Sequence, residues 1–362
     1  MLDLAATTIT APLANNRPLW AGIVVSGLTG GRTALILKFH HAIADGVGGL
    51  AVLAQLADGP PGGPASPFPR PAPPARRLFL DALGSRLRAL WRSPVAVRRL
   101  AWAVSQLRTG LANPAPSCSL NRPTGPRRRL AVARADLAAI KMAAHARGGT
   151  VNDVVLTAVT GALHGYLLAR GEMVDRFVVS MPVSTRAPDD HDPSGNKTGV
   201  VPVELPARGD PMVRLEETAT ITRIAKTGDR GATATVVEPV FRLLSALRVV
   251  RWYIDRQRRV NTFVTNLRGP AERMAFFGAS VTDAIPVNAI SGNVAVAFGV
   301  LSNAGTLTVT VVADPDRCPG VNGLAARVQQ MLDHLSASVS ATSTPSRTRR
   351  STRLPDEVLP DV

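Results

Sequence analysis

Residues 59–77, GPPGGPASPFPRPAPPARR, leave no room for a regular helix or strand, because each proline removes a backbone donor and fixes φ. This stretch divides the chain into a short head and a long remainder. In the head, 21–25 (AGIVV) and 33–39 (TALILKF) read as two strands joined by the turn LTGGR, a hairpin, followed by a short helix from Gly46 to Asp58. After the break comes a basic helical segment to about Leu111 and a loop leading to a strand at 129–135. A helix from Asp136 to Arg147 then starts on an N-cap aspartate and stops at Gly148-Gly149. A second helix, 151–169, is apolar on most faces and is expected to be buried. Strands are expected at 176–181, 199–205, 261–266, 279–285, 293–301 and 305–313, with helices at 211–227, 233–256 and 320–336. Four regions follow: a partial first domain (1–58), a Pro/Arg-rich linker with basic amphipathic helices (59–128), a second domain (129–337) and a disordered tail (338–362). The mixed order of elements points to an α+β or layered α/β class.

Aromatic residues are only 4% of the chain, so the core must be built from Ala, Val, Leu and Ile. Cys118 and Cys318 are far apart with no CxxC spacing, which argues against a disulfide framework or zinc cluster and suits a reducing compartment. The uncharged run from Ala284 to Ala313 is long enough to span a bilayer. Its Pro, Asn, Gly and β-branched content reads as consecutive buried strands, and no transmembrane segment is expected. The net charge of +16 is concentrated: fourteen Arg and one acidic residue, Asp81, lie between Arg70 and Arg134. With Leu, Val and Trp interleaved, this pattern fits an anionic membrane or lipid particle, or simply a solvated Arg-rich linker. Nucleic acid is not the expected partner, since no helix-turn-helix, RNP or zinc-finger signature is present.

The stretch KFHHAIADGVGG, 38–49, carries the chemistry. An imidazole can take a proton from a hydroxyl near neutral pH, and the freed oxygen can attack a bound acyl thioester directly. No serine or cysteine nucleophile is then needed, in keeping with the lack of a GxSxG elbow. If the segment is extended, only one of the two histidines faces a substrate. Asp45 could fix the turn through an ion pair or cap the following helix, and Gly46 would let the backbone bend close to the ring.

HHAIADG resembles the HHxxxDG motif of the acyl-CoA-dependent acyltransferase superfamily. RPLW (17–20), GGTVNDVVL (148–156), MPVSTR (181–186) with GN (195–196), and NLRGP (266–270) followed by FFGASV are similar to ordered blocks of the bacterial wax ester synthase/diacylglycerol acyltransferase family. The resemblance implies an α/β fold of two chloramphenicol-acetyltransferase-like layered domains with the site between them. It implies His41 as general base, His40 shaping the site, a structural role for Asp45, and acyl transfer from acyl-CoA to diacylglycerol or a long-chain alcohol without a cofactor. Acyl-CoA is then a co-substrate, and a cytoplasmic protein peripheral to a membrane or lipid droplet is expected. Gly46, Asn152, Asp153 and Asn266 are the further site-shaping candidates, Asn266 as a possible oxyanion donor. Thr150 to Asp153 also reads as a capping box, so Asn152 and Asp153 can equally serve to start a helix. Family members carry another block ahead of PLW, which begins here at residue 18, so the first domain is expected to be incomplete at its N-terminus. Competing expectations are a superfamily neighbour acylating a polyketide or amino group, and an inactive truncated fold serving as a lipid-surface or scaffold protein.

Overall fold

The computed structural model describes residues 1–59 apart from 15, 42 and 44, then 73–91, 114–184, 198–227 and 248–342. The head opens with a helix the sequence reading did not anticipate, α1 (Leu2–Thr10), whose Ala5 and Ala6 are buried. The hairpin follows as β1 (Trp20–Leu28) and β2 (Arg32–Phe39), antiparallel, pairing Trp20 with Phe39. Next come α2 (Gly46–Leu56) and α3 (Ala75–Trp91). Helix α3 starts inside the last residues of the proline-rich break, immediately after Pro74. Residues 60–72, the second half of the basic segment (92–113), most of the expected 233–256 helix, and Thr185, Arg186, Gly195 and Asn196 lie outside the described residues.

The remainder runs β3 (Arg129–Asp136), α4 (Leu137–Ala146), α5 (Val151–Leu168), β4 (Arg176–Ser184), β5 (Thr198–Pro206), α6 (Pro211–Thr227), α7 (Val250–Ile254), β6 (Thr262–Arg268), the short pair β7 (Ala275–Phe276) and β8 (Ala279–Ser280), β9 (Val296–Asn303), β10 (Thr306–Ala313) and α8 (Val321–Thr342). Asp136 caps α4 by accepting from the Ala139 amide at 2.7 Å, as its position before the apolar run predicted. Helix α8 runs past the expected end at 336, and the tail beyond 342 lies outside the described residues.

Six strands form one mixed sheet in the order β3-β10-β9-β6-β4-β5. Strand β6 is parallel to both neighbours, β9 and β4, and the outer pairs are antiparallel. One face packs on α4, α5, α6 and α8 around Phe177, Phe298, Leu156, Leu163 and Leu332, giving the Ala/Val/Leu-dominated core that the composition required. Helix α5 is long and apolar enough to cross a membrane by length and composition, yet two-thirds of it is buried in this core.

The other face receives α1. Leu2, Ala5, Ala6 and Ile9 form a helical stripe against Leu130, Ala297, Val312, Ile36 and Phe263. Arg129 reinforces the contact with an ion pair to Asp3 at 2.7 Å. The expected strand at 279–285 shrinks to the two residues of β8. Residues 281–290 instead cross the sheet face without strand pairing; Asn288 donates to the Phe298 carbonyl at 3.0 Å, and Ile290 and Val287 join the α1 cluster. Only Ile290 of the run is buried; most of it is half-buried along the cavity it lines, and no ladder is required.

Candidate active site

The hairpin's closing residue positions the histidine pair. The His40 amide donates to the Leu19 carbonyl at 2.8 Å, just beyond the last β1–β2 pair, so RPLW and HH abut. The chain then turns, with the Ile43 amide donating to the His40 carbonyl at 3.0 Å. Asp45 ends the turn. It is 4% exposed, and its Oδ1 accepts from the Gly48 amide at 2.9 Å as the N-cap of α2. Its role is therefore to set the direction in which α2 leaves the histidines.

Gly46 serves a purpose different from the expected backbone bend, since its φ is not positive. A Cβ there would lie 2.7 Å from Leu267 Cδ2 and 2.9 Å from Cδ1. The missing side chain lets the start of α2 press against the end of β6.

Across from the histidines stand β6, β4 and the start of α5. Asn266 Nδ2 donates to Asn152 Oδ1 at 3.4 Å, and Asn152 Nδ2 points at Met181 Sδ at 3.7 Å. Asp153, next in sequence, turns away. Its Oδ2 accepts from the Thr150 amide and hydroxyl, both at 2.8 Å, and its Oδ1 from the Thr222 hydroxyl of α6 at 2.6 Å. The capping box is thus present, and Asp153 joins two helices while remaining 2% exposed.

A cavity of about 2410 Å³ separates the head from the second sheet face. His40, His41, Asp45, Gly46 and Asn266 all line it. A smaller pocket of about 120 Å³ adjoins it, shared by Asn152, Asn266, Met181 and Pro182. Asp153 lines neither. The large cavity exceeds the usual range for small-molecule sites and is walled by apolar side chains such as Leu37, Leu53, Phe263 and Leu301, so it suits a long hydrocarbon ligand.

Sequence reasoning missed Phe263, Thr265 and Leu267, which face the cavity on alternate positions of β6, and Ser180 on β4; Asn266 between Thr265 and Leu267 borders the cavity but turns its amide to Asn152 in the smaller pocket. Two-residue alternation along 262–268 was the available signal. Neither cysteine lines the cavity; burial pushes both thiols above their ordinary range. Among the described residues, no group of three or more His, Cys, Asp or Glu could hold a metal ion.

Residues 1–155 match the family model of the wax ester synthase/diacylglycerol acyltransferase catalytic domain, and residues 194–336 that of the WS/DGAT C-terminal domain. A Mycobacterium tuberculosis H37Rv protein named "Probable diacyglycerol O-acyltransferase tgs2" is 30% identical over 360 residues, covering 94% of this chain and 78% of the relative. The "tgs1" protein of the same strain is 28% identical, covering 93% and 75%. Among solved structures, the wax ester synthase/diacylglycerol acyltransferase from Marinobacter aquaeolei VT8 superposes with a TM-score of 0.66 at 22% identity, covering 94% of this chain and 76% of that one. The starter condensation domain of rhizomide synthetase superposes at 0.54 with 18% identity, covering 90% and 70%. Both carry the layered α/β fold expected from the sequence.

Proposed function

The chain belongs to the wax ester synthase/diacylglycerol acyltransferase family, and from that premise we propose that it is an O-acyltransferase moving a long-chain acyl group from acyl-CoA to diacylglycerol or a fatty alcohol. The observation that carries this reading is the placement of the His40-His41 pair on the wall of an apolar cavity of about 2410 Å³, with Asn266 also on its lining. His41 takes the acceptor's hydroxyl proton as the oxygen attacks the thioester carbonyl. The tetrahedral oxyanion is met by Asn266, whose Nδ2 has a second hydrogen beyond the one shared with Asn152. The intermediate collapses with loss of the C–S bond. The imidazolium returns the proton to the departing sulfur, giving the ester and free CoA without an acyl-enzyme or a cofactor. His40 anchors the turn to RPLW, Asp45 and Gly46 set the angle of α2, and Asn152 orients Asn266.

Such substrates reside in membranes or droplets, so the protein is placed in the cytoplasm, peripheral to a lipid surface. Helix α3 supports this placement, exposing Leu78, Phe79, Leu80, Leu83 and Leu87 in a segment that also carries Arg76, Arg77, Arg86 and Arg88. Incubation with labelled palmitoyl-CoA and either dipalmitoylglycerol or hexadecanol tests the reaction. Labelled ester from the wild type, reduced to background by His41→Ala, is the expected result. Vesicle binding with no CoA release would favour a non-catalytic lipid-surface protein, and CoA release without lipid ester would point to a different acceptor class.

A further inference from the structure

Strands β7 and β8 pair Ala275 with Ser280 and Phe276 with Ala279, so their connection is two residues long, Phe277 and Gly278. Their φ angles are 53° and 78°. Positive φ at both central positions is the type I′ pattern, for which Asn-Gly is the favoured pair. Gly278 fits it. Phe277 does not, because a side chain with a bulky Cβ substituent is disfavoured in the left-handed region. Packing does not account for the choice either, since Phe277 is 99% exposed. A residue that opposes both the turn's conformational preference and its own hydration has no role within the described fold.

The turn is nevertheless tightly held. Asp58, just beyond α2, accepts from the Phe277 amide at 2.8 Å and the Gly278 amide at 2.7 Å, while its own amide donates to the Ala275 carbonyl at 2.8 Å. Phe276, Phe277 and Ala279 belong to the wall of the large cavity, and the exposure of Phe277 puts it at the mouth. Arg268 and Arg273 are exposed nearby in the sequence, balanced by Glu272 between them and by the Asp58 carboxylate against the turn itself.

We propose that Phe277 is the wedge by which the cavity mouth docks on a lipid surface. The proposal rests on the lipid acyltransferase reading, in which water-insoluble acceptors enter from a lipid phase. The aromatic ring enters the acyl boundary. The turn's two amides are already satisfied by Asp58, so they bring no unpaired donors into the low-dielectric layer. The mouth then faces the phase that holds the acceptor.

The decisive variant is Phe277→Asn, which supplies the residue the turn prefers and removes the ring. Flotation with vesicles of phosphatidylcholine and phosphatidylglycerol should show the dissociation constant raised about tenfold or more, from the loss of one buried aromatic side chain. The thermal midpoint should be unchanged or higher. Phe277→Trp should keep binding and add blue-shifted emission over the four native tryptophans when vesicles are present. Binding by Phe277→Asn within about twofold of the wild type would overturn the proposal. So would a wild-type dimer that Phe277→Asn abolishes, with no vesicle binding, since a second copy would then be the occupant. Binding is read without turnover, so a wild-type protein that forms no ester would refute the acyltransferase reading while leaving the docking result to stand or fall by itself.

Discussion

Asn152 and Asp153 are adjacent, yet one turns to the smaller pocket and the other into the scaffold. The split predicts opposite outcomes. Asp153→Ala leaves the buried Thr222 hydroxyl without its acceptor and removes the cap on the Thr150 amide, and should lower unfolding free energy by about 2–3 kcal/mol in urea titrations. Asn266→Ala should leave that free energy nearly intact and lower kcat about 100-fold, the usual cost of one oxyanion donor. The capping half of Asp153's role was legible, because T-x-x-D is a local pattern. Its bond to Thr222 joins residues distant in sequence, and no spacing reveals it. A pH effect belongs to this scale as well. Burial pushes the Cys318 thiol and the neighbouring Tyr166 phenol above their ordinary values of 9.0 and 10.0. The unfolded chain therefore releases these protons first as pH rises through that range, so stability should fall there. Thermal melts between pH 8 and 10.5 should show the midpoint dropping, and Tyr166→Phe should remove part of the drop.

Helix α2 and strand β6 meet where Gly46, five residues after His41, faces Leu267. Gly46→Ala should displace the turn and cost about 1–3 kcal/mol of overpacking, with a fall in turnover. Adding Leu267→Ala should recover part of both losses, and a double-mutant cycle would read the coupling directly. Most elements were visible in the sequence: the Asp136 cap and the Gly148-Gly149 stop marked α4, a long apolar run marked α5, the turn LTGGR marked the hairpin, and uncharged β-branched runs marked β9 and β10. Helix α1 escaped because its stripe of Leu2, Ala5, Ala6 and Ile9 is half alanine and gives little contrast with the polar face. The expected strand at 279–285 was largely misread, because apolar residues can be held by side-chain contacts across a sheet face without joining a ladder.

On the scale of the whole molecule, the hairpin forms a separate two-stranded sheet and shares no ladder with the six-stranded one. It is held through α1, α2 and side-chain contacts. Its outer residues Trp20, Val24 and Leu35 are exposed. Two strands alone are marginal in water, so the amides of β1 and β2 should exchange with deuterium on the order of 100-fold faster than those of β9 and β10, measurable by peptide-resolved exchange. The layered α/β class could be read from element order, whereas the cavity could not. It is made by the distance between a head and a sheet face that touch at a few points, and no local pattern encodes that distance. Gly46 and Leu267 are among those points, and they lie far apart in the sequence. A cleft with lips of such separate origin exists only in finished molecules. Nascent chains and proteolytic pieces own one lip each, so whatever catalysis occurs here also counts the copies that have folded to completion.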